Sequence, residues 1–235
     1  MTAKVSLEDL LDSGAHFGHQ TKRWNPKMEE YLYGQENGVH IFDLTKTKPA
    51  LEEALAFLAQ AKKDGKTILL LGTKKQVKNK VAEVGEALGI PYVNERWLGG
   101  TISNFGQIQK SLKKMEEMSA NVTSGAYNKY TKKERLLIDR EITRLERFFS
   151  GIKNLTKVPD VLFVVDTKRE EGAVHEAGAK KVVVVGIVDS NSDPDGIDYP
   201  IPMNDDASKA LSYILDLVKE TLEGVKVKVE KEVKE

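Results

Sequence analysis

The stretch V-L-F-V-V-D-T-K-R-E-E-G-A-V-H-E-A-G-A-K-K-V-V-V-V-G-I-V-D, residues 161–189, decides the fold class. Its two apolar runs, Val161 to Asp166 and Val182 to Asp189, leave no polar face for water to wet. The residues around Glu170 to Ala177 between them read as a short helix. Strands buried on both faces and joined through a helix belong in a parallel sheet covered by helices. The pattern occurs upstream as well. Ile68 to Gly72 is a buried strand, Lys74 to Leu88 a helix ending near Gly89, and Pro91-Tyr92-Val93 begins another strand. A preceding helix carries the stripe Leu51, Ala54, Leu55 and Leu58, with Pro49 placed in its opening turn. A closing helix runs from about Asp206 to Leu222, with Asp205 and Asp206 at the positive end of its dipole. The spacing predicts a three-layer α/β/α domain.

Residues 105–152 have a different character, with helical spacing and no strand signal. Phe105, Ile108, Leu112 and Met115 step by three and four, as do Ile138, Ile142, Leu145, Phe149 and Ile152. That is the alternation of a coiled-coil seam. Asn121 to Lys129 reads as the turn between two helices, and Thr131 with Glu134 as the capping box that starts the second. The expected organisation is a discontinuous α/β domain, 1–104 and 155–224, interrupted by an antiparallel coiled-coil hairpin, 105–154, that stands away from it. Residues 225–235 form a charged tail, read as a frayed end or as an edge strand for a partner.

The 36 basic and 36 acidic side chains balance, which argues against a simple polycation. Their distribution is polar: residues 110–157 hold 12 basic and 6 acidic groups, and residues 158–235 hold 10 and 17. There is no cysteine, so disulfides and thiolate metal sites are excluded. Lys4, Glu8 and Asp9 open the chain in place of a secretory signal, and the longest apolar runs are too short to cross a bilayer, so a cytoplasmic location is expected.

Several groups of residues offer chemistry. Gly72-Thr73-Lys74-Lys75 follows a strand, but no G-x-x-x-x-G-K-[ST] or G-x-G-x-x-G is present. What remains is a helix start with Lys74, Lys75 and Lys78, suited either to a polyanion's phosphate or to a solvated face. The cluster His16 to Lys27, placed before any regular element, mixes Lys22, Arg23 and Lys27 with Trp24. Arg96 and Trp97 recur together before the paired Gly99-Gly100. Cations beside an aromatic ring serve phosphate contact and base stacking, although such a ring also covers a core. Lys132, Lys133, Arg140 and Arg144 give the hairpin its positive charge. Asp189, Asp193, Asp195, Asp198, Asp205 and Asp206 form an acidic group near the carboxyl edge of the sheet. With a histidine such as His19, Asp189 and Asp205 are candidate ligands for a divalent cation, zinc or magnesium. The competing reading is turn chemistry at Asp193-Pro194-Asp195-Gly196 and helix capping at Asp205 and Asp206. No G-x-S-x-G elbow or H-E-x-x-H occurs, so catalysis is the weaker class.

Three long stretches, L-L-D-S-G-A-H-F-G-H-Q-T-K-R-W-N-P-K-M with G-V-H-I-F-D-L-T-K-T, E-R-W-L-G-G-T-I-S-N, and V-P-D-V-L-F-V-V-D with G-I-V-D-S-N-S-D-P-D-G-I-D-Y and I-P-M-N-D-D-A, resemble the bacterial-type small-subunit ribosomal protein S-two family. The resemblance implies a flavodoxin-like (Rossmann-like) sheet with a protruding coiled-coil hairpin and no enzymatic activity. It implies binding of small-subunit rRNA between head and body of the subunit. It also implies neighbouring ribosomal proteins as partners, including docking of the large mRNA-binding protein S-one. The alternatives are a flavodoxin-like enzyme, dependent on a metal or nucleotide at the sheet's carboxyl edge, and a pure protein adaptor using the hairpin.

Overall fold

In the computed structural model, which describes residues 4–225, the chain begins with a short helix, α1 (Leu7–Asp12). It continues into an antiparallel sheet of β1 (Phe17–Gln20), β2 (Leu32–Glu36) and β3 (Val39–Phe42), in the order β1-β3-β2. This sheet corrects the expectation that no regular element lies around His16 to Lys27. Its hairpin turn is Asn37-Gly38, both with positive φ (51° and 78°), the pair that a two-residue turn matching strand twist requires. Helix α2 (Leu44–Lys63) starts where the Asp43 carboxylate accepts from the Thr45 N–H. Pro49 therefore sits in the second turn, inside the helix, and not in the opening turn expected for it.

Next come β4 (Ile68–Leu71), α3 (Lys78–Leu88) and β5 (Tyr92–Val93). Helix α3 begins four residues later than expected, because Gly72 to Val77 form a loop and turn first. The hairpin helices α4 (Phe105–Thr123) and α5 (Lys132–Phe149) follow, then β6 (Val161–Val164), α6 (Glu171–Ala179), β7 (Val183–Val188), β8 (Tyr199–Pro202) and α7 (Ser208–Glu223). The second sheet is parallel with order β5-β4-β6-β7-β8. Numbered by its own strands it reads 2-1-3-4-5, which puts the topological switch point between β4 and β6.

Every side chain of β4 and β6 is buried, and alternate residues feed two cores. Ile68, Leu70, Val161 and Phe163 face α2, α3 and α7. Leu69, Leu71, Leu162 and Val164 face α6, the base of the hairpin, and Met28 and Phe42 from the amino-terminal segment. Each such leucine or valine contributes about 1.5–3 kcal/mol through burial, so the doubly covered sheet dominates stability.

The hairpin helices pack on each other, and Ile108, Leu112, Met115, Leu145 and Phe149 are buried in the core that lines the sheet. Thus its inner half is rooted in the α/β layers, while Val122, Leu136 and Leu137 near its turn are exposed. The capping box at Thr131 forms as expected, with Thr131 N–H donating to Glu134 Oε2 at 2.8 Å. Where the chain leaves the hairpin, Gly151 passes so close to β5 that a Cβ would lie 2.2 Å from the Tyr92 carbonyl oxygen. The tail expected over 225–235 lies, beyond Val225, outside the described residues.

One side chain fixes the passage from β5 into the hairpin. The Glu176 carboxylate on α6 accepts from the N–H groups of Gly100 (2.7 Å), Ile102 (3.1 Å) and Ser103 (3.0 Å). It also accepts from Ser103 Oγ (3.1 Å) and Trp97 Nε1 (3.3 Å). Although burial alone would raise its pKa, the donors outweigh burial and hold it below the usual carboxylate range. Glu176→Ala strands these partly buried donors. Urea denaturation should show a loss of at least about 1.5–3 kcal/mol, the worth of hydrogen bonds to a charged group, with faster amide exchange at Ile102 and Ser103. Unchanged stability and exchange would contradict this role.

Candidate nucleic-acid interface

The loops after β4, β6 and β7 meet the segment before α7 at the carboxyl edge of the parallel sheet. Here Lys74 does not face outward. Its Nζ lies 2.6 Å from Asp205 Oδ1, 2.7 Å from Asp206 Oδ1 and 3.1 Å from Asp166 Oδ2. It also donates to the Asp205 carbonyl at 2.8 Å. Burial opposes the ammonium, but the three carboxylates outweigh it and raise its pKa. Burial, and then the Asp189 and Asp166 charges, push the Asp205 carboxyl up to about 8 against the pull of Lys74.

Beside this cluster His19 Nδ1 lies 2.9 Å from Asp189 Oδ1, and Nε2 lies 3.5 Å from Asp206 Oδ2. The bond to Asp189 raises the imidazole's pKa, opposed by burial and aided by the charges of Asp189, Asp205 and Asp206. Asp189 is fully buried and also accepts from Ser190 N–H and from Asp205 N–H. Ser190 Oγ accepts from His19 N–H at 2.7 Å, which ties β1 to the loop after β7. The approach requires glycine: a Cβ on Gly18 would sit 2.8 Å from Ser190 Oγ. The edge is therefore filled by the chain's own cation and imidazole.

The metal candidates His19, Asp189 and Asp205 are close together, but Asp205 is aimed at Lys74. Among the described residues no group of three or more histidine and acidic side chains is arranged to hold a metal ion. The capping expected of Asp205 and Asp206 is corrected too. The cap residue of α7 is Ala207, and the Asn204 side chain accepts from the N–H groups of Asp206 and Ala207. Asp193 does make the turn expected of it, accepting from Asp195 N–H at 2.9 Å.

The other candidates fall into three places. On the amino-terminal sheet, Lys22 and Arg23 are exposed in a single 3₁₀ turn after β1, with Trp24 packed on His40 at 4.9 Å between ring centroids. Lys27 is engaged by Asp193 and Asp195. Around the crevice at the switch point, where the segments after β4, β5 and β6 meet, lie Lys75, Lys78, Arg96 and Trp97. Lys78 pairs with Glu95 at 2.9 Å, and Arg147 reaches the same carboxylate at 2.8 Å. On the hairpin, Lys132, Lys133 and Arg140 are exposed, while Arg144 grips Glu141 with two bonds of 2.9 Å. Among the described residues, Lys22, Arg23, Lys75, Arg96, Lys132, Lys133 and Arg140 make no ion pair.

Two contributors escape the sequence reading. Glu176 gives no local signal, since a lone glutamate on a short helix is ordinary. Arg169 is signalled only by its place after β6 at the switch point.

The profile of the family described as ribosomal protein S2 matches residues 10–224. The chain is 46% identical over 226 residues to the small ribosomal subunit protein uS2 of Coprothermobacter proteolyticus, covering 94% of this chain and 84% of that one. To the protein of the same name from Geotalea uraniireducens it is 44% identical over 220 residues, covering 94% and 86%. To that of Nocardia farcinica it is 43% identical over 227 residues, covering 96% and 80%.

His19 and Asp205 both have raised folded-state values, so their stabilising contribution is complete below the unfolded pKa and is lost as pH rises through the folded one. The Asp205 window runs from 3.8 to about 8, and that of His19 opens at 6.5 and extends upward. The urea midpoint should fall as pH rises from 6.5 to about 8, where the two windows overlap, and less so in His19→Gln. A flat profile in the parent protein would refute the assignment.

Proposed function

The chain belongs to the ribosomal protein S2 family, and on that premise we propose that it is a structural, non-enzymatic constituent of the small ribosomal subunit that binds rRNA in the cytoplasm. One observation carries the RNA-binding part. On a chain of zero net charge, Lys22, Arg23, Lys75, Arg96, Lys132, Lys133 and Arg140 are left without acidic partners among the described residues. Lys132 and Lys133 occupy the first turn of α5, where the helix dipole disfavours cations by about 0.3–1 kcal/mol. An RNA phosphate there satisfies both the cations and the dipole.

In this reading residues 105–154 act as a distinct coiled-coil arm, supported by the three-four spacing of its apolar residues. Residues 158–235, with 17 acidic and 10 basic groups, turn toward neighbouring ribosomal proteins. The large mRNA-binding protein S-one is among these partners, on the strength of the family. The enzyme alternative draws no support from the edge of the sheet, where Asp189 is fully buried and Asp205 is paired with Lys74.

Phosphate contacts make affinity salt-dependent through counterion release. Filter binding to small-subunit rRNA should weaken steeply with salt. In Lys132→Ala/Lys133→Ala the slope of log K against log salt should become shallower by about 1.5–2. Equal binding at low and high salt, or an unchanged slope in the double variant, would contradict the reading.

A further inference from the structure

The crevice at the switch point of the parallel sheet, between the carboxyl ends of β4 and β6, stays open although the neighbouring edge is filled. Two adjoining hollows of about 450 and 400 Å³ share Thr73, Glu95 and Arg169, and each alone falls within the range of small-molecule sites, about 300–1,000 Å³. The charge facing this space is positive once internal pairs are removed. Lys74 is turned onto Asp166, Asp205 and Asp206. Glu95 is taken by Lys78 and Arg147. Glu170 is buried on the floor, accepting from the Thr73 hydroxyl. Burial also raises its pKa above the ordinary carboxylate value.

What remains is Lys75 and Arg96, exposed and unpaired among the described residues, and Arg169. Arg169 donates from Nε to Thr73 Oγ1 at 3.0 Å and reaches Glu170 only at 3.9 Å. Trp97 lines the same hollow, its ring orientation fixed by the bond to Glu176. The space beside Gly172, in the first turn of α6, is empty: a Cβ there would meet nothing within 4 Å. Helix α6 also starts without a side-chain cap, so its amides add to the positive potential.

We propose that this crevice binds one nucleotide unit, with its phosphate held by Lys75, Arg96 and Arg169 and its base against Trp97. The inference rests on the RNA-binding reading and deepens it, since one unit of an RNA strand is the ligand at hand. A free nucleotide presents the same phosphate chemistry.

The test is titration of the full-length, isotope-labelled protein with adenosine 5′-monophosphate and, separately, with octauridylate. The resonances followed are the Thr73 and Gly172 amides and the Trp97 indole N–H. The expected result is movement of all three. Movement with both probes supports a site open to free nucleotide, and movement with octauridylate alone supports a strand as the source. Lys75→Ala/Arg96→Ala should weaken the response by at least about tenfold, as the loss of charge-assisted contacts implies. Its undisturbed Trp97 indole resonance would report an intact fold. Silent crevice resonances with both probes, or undiminished response in Lys75→Ala/Arg96→Ala, would overturn the inference. Silence in a protein that still assembles into small subunits sinks the crevice alone. A responsive crevice in a protein absent from subunits sinks the functional reading instead.

Discussion

Lys74 inserts its ammonium among Asp166, Asp205 and Asp206, and this single cation decides what the carboxyl edge of the sheet can be. The three carboxylates come from two chain segments remote in sequence, and Asp166 and Asp205, the two that are buried, depend on this counter-charge. Breaking a buried pair of this kind typically costs about 3–5 kcal/mol, because the remaining charges stay uncompensated. The ammonium therefore acts as an internal plug where related sheets place a ligand. Asp189 then turns to His19, which brings the amino-terminal sheet down onto the same edge through Ser190.

Function follows from what this plug leaves over. With Lys74 consumed inside, the neighbouring Lys75 faces the crevice outside, alongside Arg96 and Arg169. A second carboxylate, Glu176, sets the direction in which the chain departs for the hairpin by gathering the amides of Gly100, Ile102 and Ser103. The second group of cations lies at the far end of that hairpin, on Lys132, Lys133 and Arg140. Two positive surfaces on one chain suit a partner that is itself large, folded and phosphate-rich.

The parallel sheet was legible because its strands are apolar on both faces, a pattern little else produces. The hairpin was legible from its three-four spacing and from Thr131 with Glu134. The amino-terminal sheet was not, since β2 carries Tyr33, Gly34, Gln35 and Glu36, all exposed, and offers no apolar alternation. The Asn37-Gly38 turn was the one local sign. At the interface, residue type predicted candidates well and availability poorly. Lys27, Lys74, Lys78 and Arg144 are the same kind of residue as Lys22, Lys75 and Arg140, yet each is held by acids distant or near in sequence. Only the fold brings Asp205 to Lys74 or Glu95 to Lys78, and no spacing rule encodes those meetings.

The central claim is membership of the small subunit, and the most direct measurement is gradient sedimentation of the tagged chain from a cell lysate at near-physiological salt. The account predicts comigration with free small subunits and with whole ribosomes. Recovery of the chain only at the top of the gradient, at ordinary expression, would contradict it.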